Sequence, residues 1–414
     1  MKNSSLTPHQ RVMRTLDFDA PDRLPKDLGG MASTGISAFA YPKLIEALGL
    51  SPRLPKIHDP VQMLALPDID VLDLLGCDVI TIFDGITNAF DEPTKWQVYD
   101  FEGRLPAFVR QPSNFHKCEN GSIAQLVKQG NSIVSYTMVK SSYVFDEEHG
   151  GQPLSLTSDL QLVDLRQIRK ELKDNQLRDE EIKQIKQHCK NVRESTDRAI
   201  FFNGPINTNI GIGKYGGIAV FPILCLTEPN YVADLHGIIT AHAIETIELL
   251  LTEIYPYIDI IMMAADDWGT QNSLIASPHI FKKLFLPYLA LINNQSHKIA
   301  PNVKTFLHSC GAIYDIIDLI IESGFDILNP VQWSAGGHSY KEWKDRCRNR
   351  ISLWGGGINS QTTLPFGTID DVRREVAAVA EYLKMDNGYV FCSIHNLLAE
   401  IVPEKIIAMY SAAK

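Results

Sequence analysis

The sequence predicts an α/β protein of the TIM (β/α)8 barrel class, with a β-rich insertion between strands 2 and 3. The first observation is a regular succession of short apolar segments, each followed by a loop and an amphipathic helical pattern, from residue 199 onward. The second is that polar motifs lie where those apolar segments end, which is where functional residues collect in such barrels. Together with two earlier apolar segments, the units number eight, and we predict one domain over residues 1–414.

The eight predicted strands share an apolar core and a polar end, and they begin near Pro25, Asp78, Ala199, Asp259, Val303, Asp326, Ile351 and Tyr389. Residues 5–18 predict a first helix, because Thr7 is a suitable N-cap and Pro8 suits the first helical position. The alternative class is an open doubly wound sheet. It is disfavoured because DLGGMASTG, after the first strand, lacks the G-x-G-x-x-G spacing of a dinucleotide site.

The insertion is predicted at about residues 90–198. Alternating stretches such as WQVYDF and NSIVSYTMV, with the turn-rich CENGS around Cys118, predict antiparallel hairpins. A charged helix is predicted from about Leu160 to Thr196. Tyr143 and Phe145 at the end of this insertion are candidates to cover the barrel mouth, with ordinary hairpin packing as the alternative.

Composition narrows the classes of function. The 414 residues are 45% apolar and 21% charged, which is typical of a soluble globular protein, and the net charge of -10 argues against a nucleic-acid partner. We find no signal peptide and no window of ~18 apolar residues that would span a membrane. Seven cysteines without a framework spacing suit a reducing compartment, so a cytoplasmic enzyme is expected.

A metal site is predicted from the segment KTFLHSCG. Residues two apart on a strand point to the same side, so His308 and Cys310 can present a nitrogen and a sulfur to one zinc ion. Cys392 ends the eighth strand on the same rim and is the predicted third ligand, with His395 in reserve. Three protein ligands leave a fourth position for substrate or water, as in catalytic zinc sites. The alternative is a packed thiol beside a hydrogen-bonded imidazole.

Other polar residues and glycines also lie at strand ends. Asp266 and Asp267 are predicted catalytic residues that accept a substrate hydrogen bond, hold a proton or support a metal ligand, with a helix cap and a solvated charge as the alternative. The backbone amides of WGGGI and of DLGGMASTG are candidates to hold an anion, although tight turns would also explain these glycines. The predicted substrate-binding residues are Gly29, Gly30, Ser33, Asn209, Gln271, Gln332, Gly356 and His395.

Four motifs, HSCG, DILNPVQ, LWGGGI and FCSIHNLLAEIVPEKIIAMY, resemble the uroporphyrinogen decarboxylase superfamily over most of the chain. The decarboxylases of this superfamily need no metal and carry an N-terminal Arg-rich motif, whereas this chain has DLGGMASTGI at the corresponding strand. A second branch contains zinc-dependent corrinoid methyltransferases, such as methylcobalamin:coenzyme M methyltransferases, with a His-x-Cys pair and a distant Cys as ligands. His308, Cys310 and Cys392 match that pattern.

The resemblance implies Zn²⁺ as a cofactor and methyl transfer between a corrinoid, such as methylcobalamin, and a small-molecule methyl donor or acceptor. A corrinoid-binding partner protein is expected, because no Asp-x-His-x-x-Gly segment is present. Two other functions stay open: a metal-free lyase acting on a cyclic polycarboxylate through Asp266 or Asp267, and a non-catalytic barrel that binds a corrinoid carrier.

Overall fold

The structure is a computed structural model that describes residues 6–129, 132–146, 162–206 and 217–414. Its strands are β1 (Ile36–Ser37), β2 (Ile57–Asp59), β3 (Leu64–Ala65), β4 (Val79–Phe83), β5 (Gln97–Asp100), β6 (Pro106–Val109), β7 (Phe115–Lys117), β8 (Ile123–Gln129), β9 (Ser132–Met138), β10 (Ala199–Asn203), β11 (Ile260–Ala265), β12 (Lys304–His308), β13 (Ile327–Asn329), β14 (Ser352–Trp354) and β15 (Tyr389–Val390).

The α-helices are α1 (Pro8–Leu16), α2 (Tyr41–Ala47), α3 (Ile69–Leu75), α4 (Leu165–Asp174), α5 (Asp179–Ser195), α6 (Gly217–Thr227), α7 (Pro229–Ile254), α8 (Pro278–Leu284), α9 (Leu286–Ile299), α10 (Ile317–Glu322), α11 (Tyr340–Cys347), α12 (Thr363–Phe366), α13 (Ile369–Leu383) and α14 (Pro403–Ala412). Short 3-10 helices are Ala32–Thr34, Pro93–Lys95, Pro112–Asn114, Tyr255–Tyr257 and Tyr314–Ile316. In the described ranges, no helix is both long enough and apolar enough to cross a membrane.

A parallel sheet in the order β15-β14-β13-β12-β11-β10-β4 curls into the barrel. The segment predicted as the first strand, near Pro25, closes the barrel through single bridging contacts and does not form a regular β-strand. Lys26 makes a parallel bridge to Phe391, and its carbonyl accepts a hydrogen bond from the Asp78 amide at 2.8 Å. The segment at Pro25 therefore lies between β15 and β4 and joins the two edges of the sheet. The predicted TIM-type barrel is confirmed.

The barrel interior is packed with side chains from alternate positions of the strands, as expected for this architecture. The fully buried members of this cluster include Val79, Phe201, Ile260, Phe306, Ile327, Trp354, Val390 and Cys392. Helix α1 closes the bottom of the barrel with Val12 and Leu16, which belong to the same cluster. The opposite end, where the strands finish, is left for the functional loops.

The N-terminus of α1 is capped as predicted. The Thr7 hydroxyl accepts from the Gln10 amide at 3.2 Å, and the Gln10 side chain accepts from the Thr7 amide at 3.0 Å. Because an N-cap side chain contributes about 1 kcal/mol, we expect Thr7→Ala to lower the free energy of unfolding by that amount in chemical denaturation. Thr252→Ala is the control, since the Thr252 hydroxyl bonds only to the carbonyl one turn earlier and should change stability little. An equal loss in both variants would contradict the capping role.

The β-rich insertion lies between β4 and β10. It contains the β5-β6 hairpin and the β7-β8-β9 sheet, and its aromatic residues Phe101, Phe115 and Phe145 pack together with centroid distances of 5.2–6.4 Å. The predicted charged helix is two helices, α4 and α5, separated near Gln176. Both contact α7 in the outer helical layer, where Lys186 pairs with Glu253 at 2.6 Å.

Candidate metal centre at the barrel mouth

His308, Cys310 and His395 lie together at the end of the barrel where the strands finish. One ligand atom from each of these residues lies within 4.8 Å of the others, and the Cys310 Sγ is 3.4 Å from the His308 Nε2. His308 ends β12 and is buried, whereas Cys310 and His395 follow their strands and are partly exposed. The group is therefore open to the mouth on one side.

The His308 ring is held so that its Nε2 faces Cys310. Its Nδ1 is 2.7 Å from the Asn329 Oδ1, and the Asn329 Nδ2 donates to the Trp354 carbonyl at 2.9 Å. Because the Asn329 Nδ2 is the donor to Trp354, the Asn329 Oδ1 is the atom that faces His308, and it accepts from the His308 Nδ1–H. The His308 Nε2 is therefore unprotonated and keeps its lone pair. The Ser33 hydroxyl donates to the same Asn329 oxygen at 3.0 Å. Burial lowers the pKa of His308, which also favours the neutral ring.

The His395 ring is oriented by a comparable but longer chain of side chains. Its Nδ1 lies 2.9 Å from the Asn396 Oδ1, and the Asn396 Nδ2 donates to the Gln62 Oε1 at 3.1 Å. The Gln62 Nε2 in turn donates to the Asp59 carboxylate at 3.1 Å. These bonds make the His395 Nδ1 a donor and leave its Nε2 lone pair available.

The loop that carries Cys310 is fixed by the neighbouring strand ends. The Cys310 amide donates to the Asp267 Oδ1 at 2.7 Å, and the Gly311 amide donates to the Gln332 Oε1 at 2.7 Å. Gly311 has a φ of +90°, and a Cβ there would lie 2.2 Å from the Gly269 carbonyl oxygen. Only glycine allows the two backbones to cross this closely, so the HSCG loop has one position relative to the Asp267 loop.

The donor set fits zinc. Zn–S bonds of about 2.3 Å and Zn–N bonds of about 2.0–2.1 Å at tetrahedral angles place sulfur and nitrogen about 3.5 Å apart, and the His308 Nε2 and Cys310 Sγ are 3.4 Å apart. Two imidazoles with free lone pairs and one thiol are ligands that zinc accepts. Both rings have the outer hydrogen bonds that zinc-binding histidines use.

Cys392, the predicted third ligand, lies outside this group. It is fully buried in the packed barrel interior with Val390, and a Cβ on Gly355 would lie 3.1 Å from its sulfur. Three residues further along the chain, His395, the predicted reserve ligand, lies in the group with His308 and Cys310. Cys392 shares the inward-facing side of this segment with Val390, two residues earlier. Its role as a metal ligand stays a prediction.

A model of the uroporphyrinogen decarboxylase (URO-D) family matches residues 161–414, which include His308, Cys310 and His395. The chain belongs to this family. The predicted resemblance is therefore confirmed at the level of the family. At a significant level of sequence similarity, the chain matches no curated protein.

Solved structures similar to this URO-D family chain include a methyltransferase from Methanosarcina mazei. It is 16% identical, with a TM-score of 0.54, and the alignment covers 99% of this chain and 98% of that one. This likeness shows a shared fold. An endo-1,4-beta-mannanase from Rhizomucor miehei is 15% identical over 56% of this chain and 75% of its own, with a TM-score of 0.34.

The two predicted catalytic aspartates of this URO-D family chain have different surroundings. The side chain of Asp267 is 49% exposed, and its Oδ1 lies 3.8 Å from the His308 Nε2. Asp266 is buried, and its Oδ2 has no hydrogen-bond partner. Burial, followed by the charge of Asp267, raises the pKa of Asp266 from 3.8 to about 7. Asp267 therefore lies beside the donor group, and the catalytic roles of both aspartates stay predictions.

The raised pKa of Asp266 predicts a pH effect on stability. A carboxyl group with a folded-state pKa above its unfolded value stabilises the fold below about pH 4, and this contribution is lost as the pH rises through about 7. We expect Asp266→Asn to flatten the dependence of the unfolding free energy on pH between 4 and 7. Asp370→Asn, at a side chain that is 81% exposed, is the matched control for replacing an aspartate, and its unfolding free energy is measured over the same pH range. Identical pH profiles for wild type and Asp266→Asn would contradict the prediction.

In the two glycine loops that were predicted to hold an anion, the glycine amides donate to groups of the protein itself. The amides of Gly355, Gly356 and Gly357 donate to the carbonyls of Val390, Ser393 and Cys392. In the first loop, the Gly29 amide donates to the Thr34 carbonyl and the Gly30 amide to the Asp27 carboxylate. These glycines instead permit close packing, since a Cβ on Gly356 would lie 2.5 Å from the Val331 oxygen.

The remaining predicted substrate contacts bond to the protein itself. Gln271 donates to the Ser334 carbonyl at 2.8 Å, Gln332 holds the Gly311 amide, and Ser33 supports Asn329. Asn209 lies outside the described residues. Sequence reasoning missed the roles of Asn396 and Gln62. The sequence gives one indication of the role of Asn396, which is that it directly follows His395, the predicted reserve ligand.

Proposed function

We propose that this URO-D family chain is a zinc-dependent methyltransferase that moves a methyl group between a corrinoid and a small methylated compound or thiol. The observation that carries the proposal is the group of His308, Cys310 and His395 at the barrel mouth. A catalytic zinc site has three protein ligands of these types and one open position. In this proposal His395, rather than Cys392, is the third ligand.

The protein's residues would hold the site ready in a defined geometry. When bound, zinc would supply Lewis acidity at the open position, stabilising a thiolate or polarising a methyl-bearing oxygen, nitrogen or sulfur. Asn329 and Asn396 keep the two imidazoles in the tautomer that offers Nε2. Asp267 and Gln332 hold the Cys310 loop through backbone amides, so the loop is fixed independently of the contact between the Cys310 Sγ and the His308 Nε2.

We also propose that the corrinoid is presented by a separate partner protein, because the eight strand positions of the barrel are all used and the sequence lacks a cobalamin-binding segment. Demethylation transfers CH₃⁺ to a Co(I) corrinoid. The heteroatom of the substrate keeps the bonding electron pair and takes up a proton. Methylation of a thiol is the reverse transfer, in which the thiol loses its proton and gains the methyl group.

The test is a transfer assay with zinc-loaded protein, a reduced corrinoid protein or cob(I)alamin, and a panel of methylated ethers, thioethers and amines. We expect the Co(I) absorbance to be replaced by that of methyl-Co(III) with at least one donor. The same preparation is then assayed for decarboxylation of uroporphyrinogen without metal. Decarboxylation that persists in chelator, with no methyl transfer in either direction, would overturn the proposal in favour of a metal-free lyase.

A further inference from the structure

A cavity of ≈ 520 Å³ opens beside His395, between the end of the β-rich insertion and the segment after β15. His395, Asn396 and residues 397–400 line it on the side of the segment after β15. The insertion contributes residues 141–145 as the facing wall. Its size is that of a site for a small organic ligand, and it adjoins the donor group of the proposed function.

The insertion wall is fixed in place by the body of the barrel. The Phe145 amide donates to the Val61 carbonyl at 2.8 Å, and the Phe145 ring is buried. The Tyr143 ring packs edge-on against Phe39 at 5.1 Å. The Arg104 guanidinium lies 5.5 Å from the Tyr143 ring centroid and donates to the carbonyls of Val139 and Ser142. The wall therefore exists before any ligand binds.

Half of the described lining residues are apolar, and no lysine or arginine is among them. Its apolar side chains are Leu64, Tyr143, Val144, Phe145, Leu397, Leu398 and Ala399. Three of them, Tyr143, Val144 and Leu398, are 38%, 39% and 54% exposed, which is unusual for large apolar side chains grouped around one opening.

Several polar groups of the lining are already bonded within the protein. Gln62 bonds to Asp59 and Asn396, and the Ser142 hydroxyl donates to the Val144 carbonyl at 2.9 Å. The single acidic residue of the lining is Glu400. A carboxylate, sulfonate or phosphate on the part of a ligand away from the donor group would lose water without gaining a lysine or arginine partner from the described lining, which is unfavourable.

We propose that this cavity binds the methyl-bearing substrate and selects an uncharged compound, namely a methyl ether or thioether with an aromatic ring or an apolar body of similar size. The inference rests on the proposed function, and it makes Tyr143 and Leu398 specificity-determining residues. The insertion then determines the substrate class, while His308, Cys310 and His395 supply the reactive site. Anionic methyl donors and polycarboxylates are disfavoured.

Binding to the full-length protein tests the proposal without catalysis. Dissociation constants are measured by ligand-observed NMR titration for methoxybenzene, 4-methoxybenzoate and 4-methoxybenzylammonium, and zinc content is determined on the same sample. We expect methoxybenzene to bind about tenfold more tightly than either charged compound, because the described lining offers the carboxylate no lysine or arginine and offers the ammonium only the exposed Glu400, whose ion pair would be weak. Equal or tighter binding of a charged compound, or no binding of methoxybenzene, would overturn the inference.

Two pairs of variants locate the binding. Tyr143→Ala should weaken methoxybenzene binding by about five- to tenfold, whereas Tyr255→Ala, at a tyrosine that is 44% exposed elsewhere, should not change it. Leu398→Arg should improve 4-methoxybenzoate binding about tenfold by providing the missing cation, whereas Leu226→Arg, at an exposed leucine outside the lining, should not. Unchanged binding in both cavity variants would overturn the inference.

The outcomes separate this inference from the proposed function. Methoxybenzene binding without zinc binding or methyl transfer would leave the cavity assignment in place and overturn the methyltransferase proposal. Zinc binding and methyl transfer combined with a preference for the carboxylate would leave the proposed function in place and overturn only the assignment of the substrate class.

Discussion

Cys310→Ser is expected to lower kcat/KM for methyl transfer about a thousandfold or more. The substitution replaces the sulfur that lies 3.4 Å from the His308 Nε2 with a poorer zinc ligand. Zinc acting as a Lewis acid would stabilise the transition state by several kcal/mol. Losing about 4 kcal/mol lowers the rate about a thousandfold, since each 1.36 kcal/mol of activation free energy is about a factor of ten in rate. The measurement is the initial rate of corrinoid demethylation or methylation with equal amounts of folded protein.

Cys118→Ser is the matched control, because Cys118 is also partly exposed but lies in the turn between β7 and β8, outside the donor group. It should keep the wild-type rate. The account would be contradicted if Cys310→Ser retained more than about a tenth of the wild-type kcat/KM while its zinc content fell, because activity would then be independent of the metal.

Asn329→Leu is expected to weaken zinc binding by about 10- to 100-fold, which is the usual effect of removing a group that orients a metal-binding histidine. The variant removes the acceptor of the His308 Nδ1–H bond at 2.7 Å, so the ring can turn or change tautomer. Affinity is measured by competition with a chromophoric chelator. Asn396→Leu should produce a similar loss through His395.

Gln62→Leu provides a graded control for the second chain of hydrogen bonds. Gln62 contacts Asn396 rather than the imidazole, so its removal should weaken zinc binding less than Asn396→Leu does. Asn114→Ala, in the 3-10 helix Pro112–Asn114 of the insertion, should have no effect. Equal zinc affinities for wild type, Asn329→Leu and Asn396→Leu would show that these asparagines do not position the ligands.

The barrel could be predicted from the sequence because its signal is local. Each strand is a short apolar run with polar residues at its end, and DVITIF, VKTFLHSCG and ISLWGGGI each follow this pattern. The first strand was the weakest element, and in the structure Lys26 makes only a bridge to Phe391. The division of the charged helix into α4 and α5 was also missed, because both halves have the same charged composition.

The donor group was predicted in part. His308 and Cys310 share one strand end, so their proximity follows from the alternation of side chains. That His395 lies beside this pair depends on the path of the chain after β15, and a local sequence pattern does not predict such a tertiary distance. The role of Cys392 stays a prediction. The free glycine amides were predicted without knowing that neighbouring carbonyls already accept from them.

The hydrogen bonds that orient the ligands could not be predicted, because they join distant parts of the chain. Ser33 and Asn329 are 296 residues apart, and Gln62 and Asn396 are 334 residues apart. Amide and hydroxyl side chains of this kind occur in most loops, so composition does not distinguish the ones that orient a ligand. Only the closed barrel brings them to the two imidazoles.

Zinc content per chain tests the central claim most directly. We expect about one zinc per chain in wild type and in Cys392→Ser, and less than about a tenth of that in His308→Ala, Cys310→Ser and His395→Ala after dialysis against a weak chelator. This result would establish His395 as the third ligand. Loss of zinc in Cys392→Ser with full retention in His395→Ala, or absence of zinc from the wild-type protein after growth with the metal, would contradict the account.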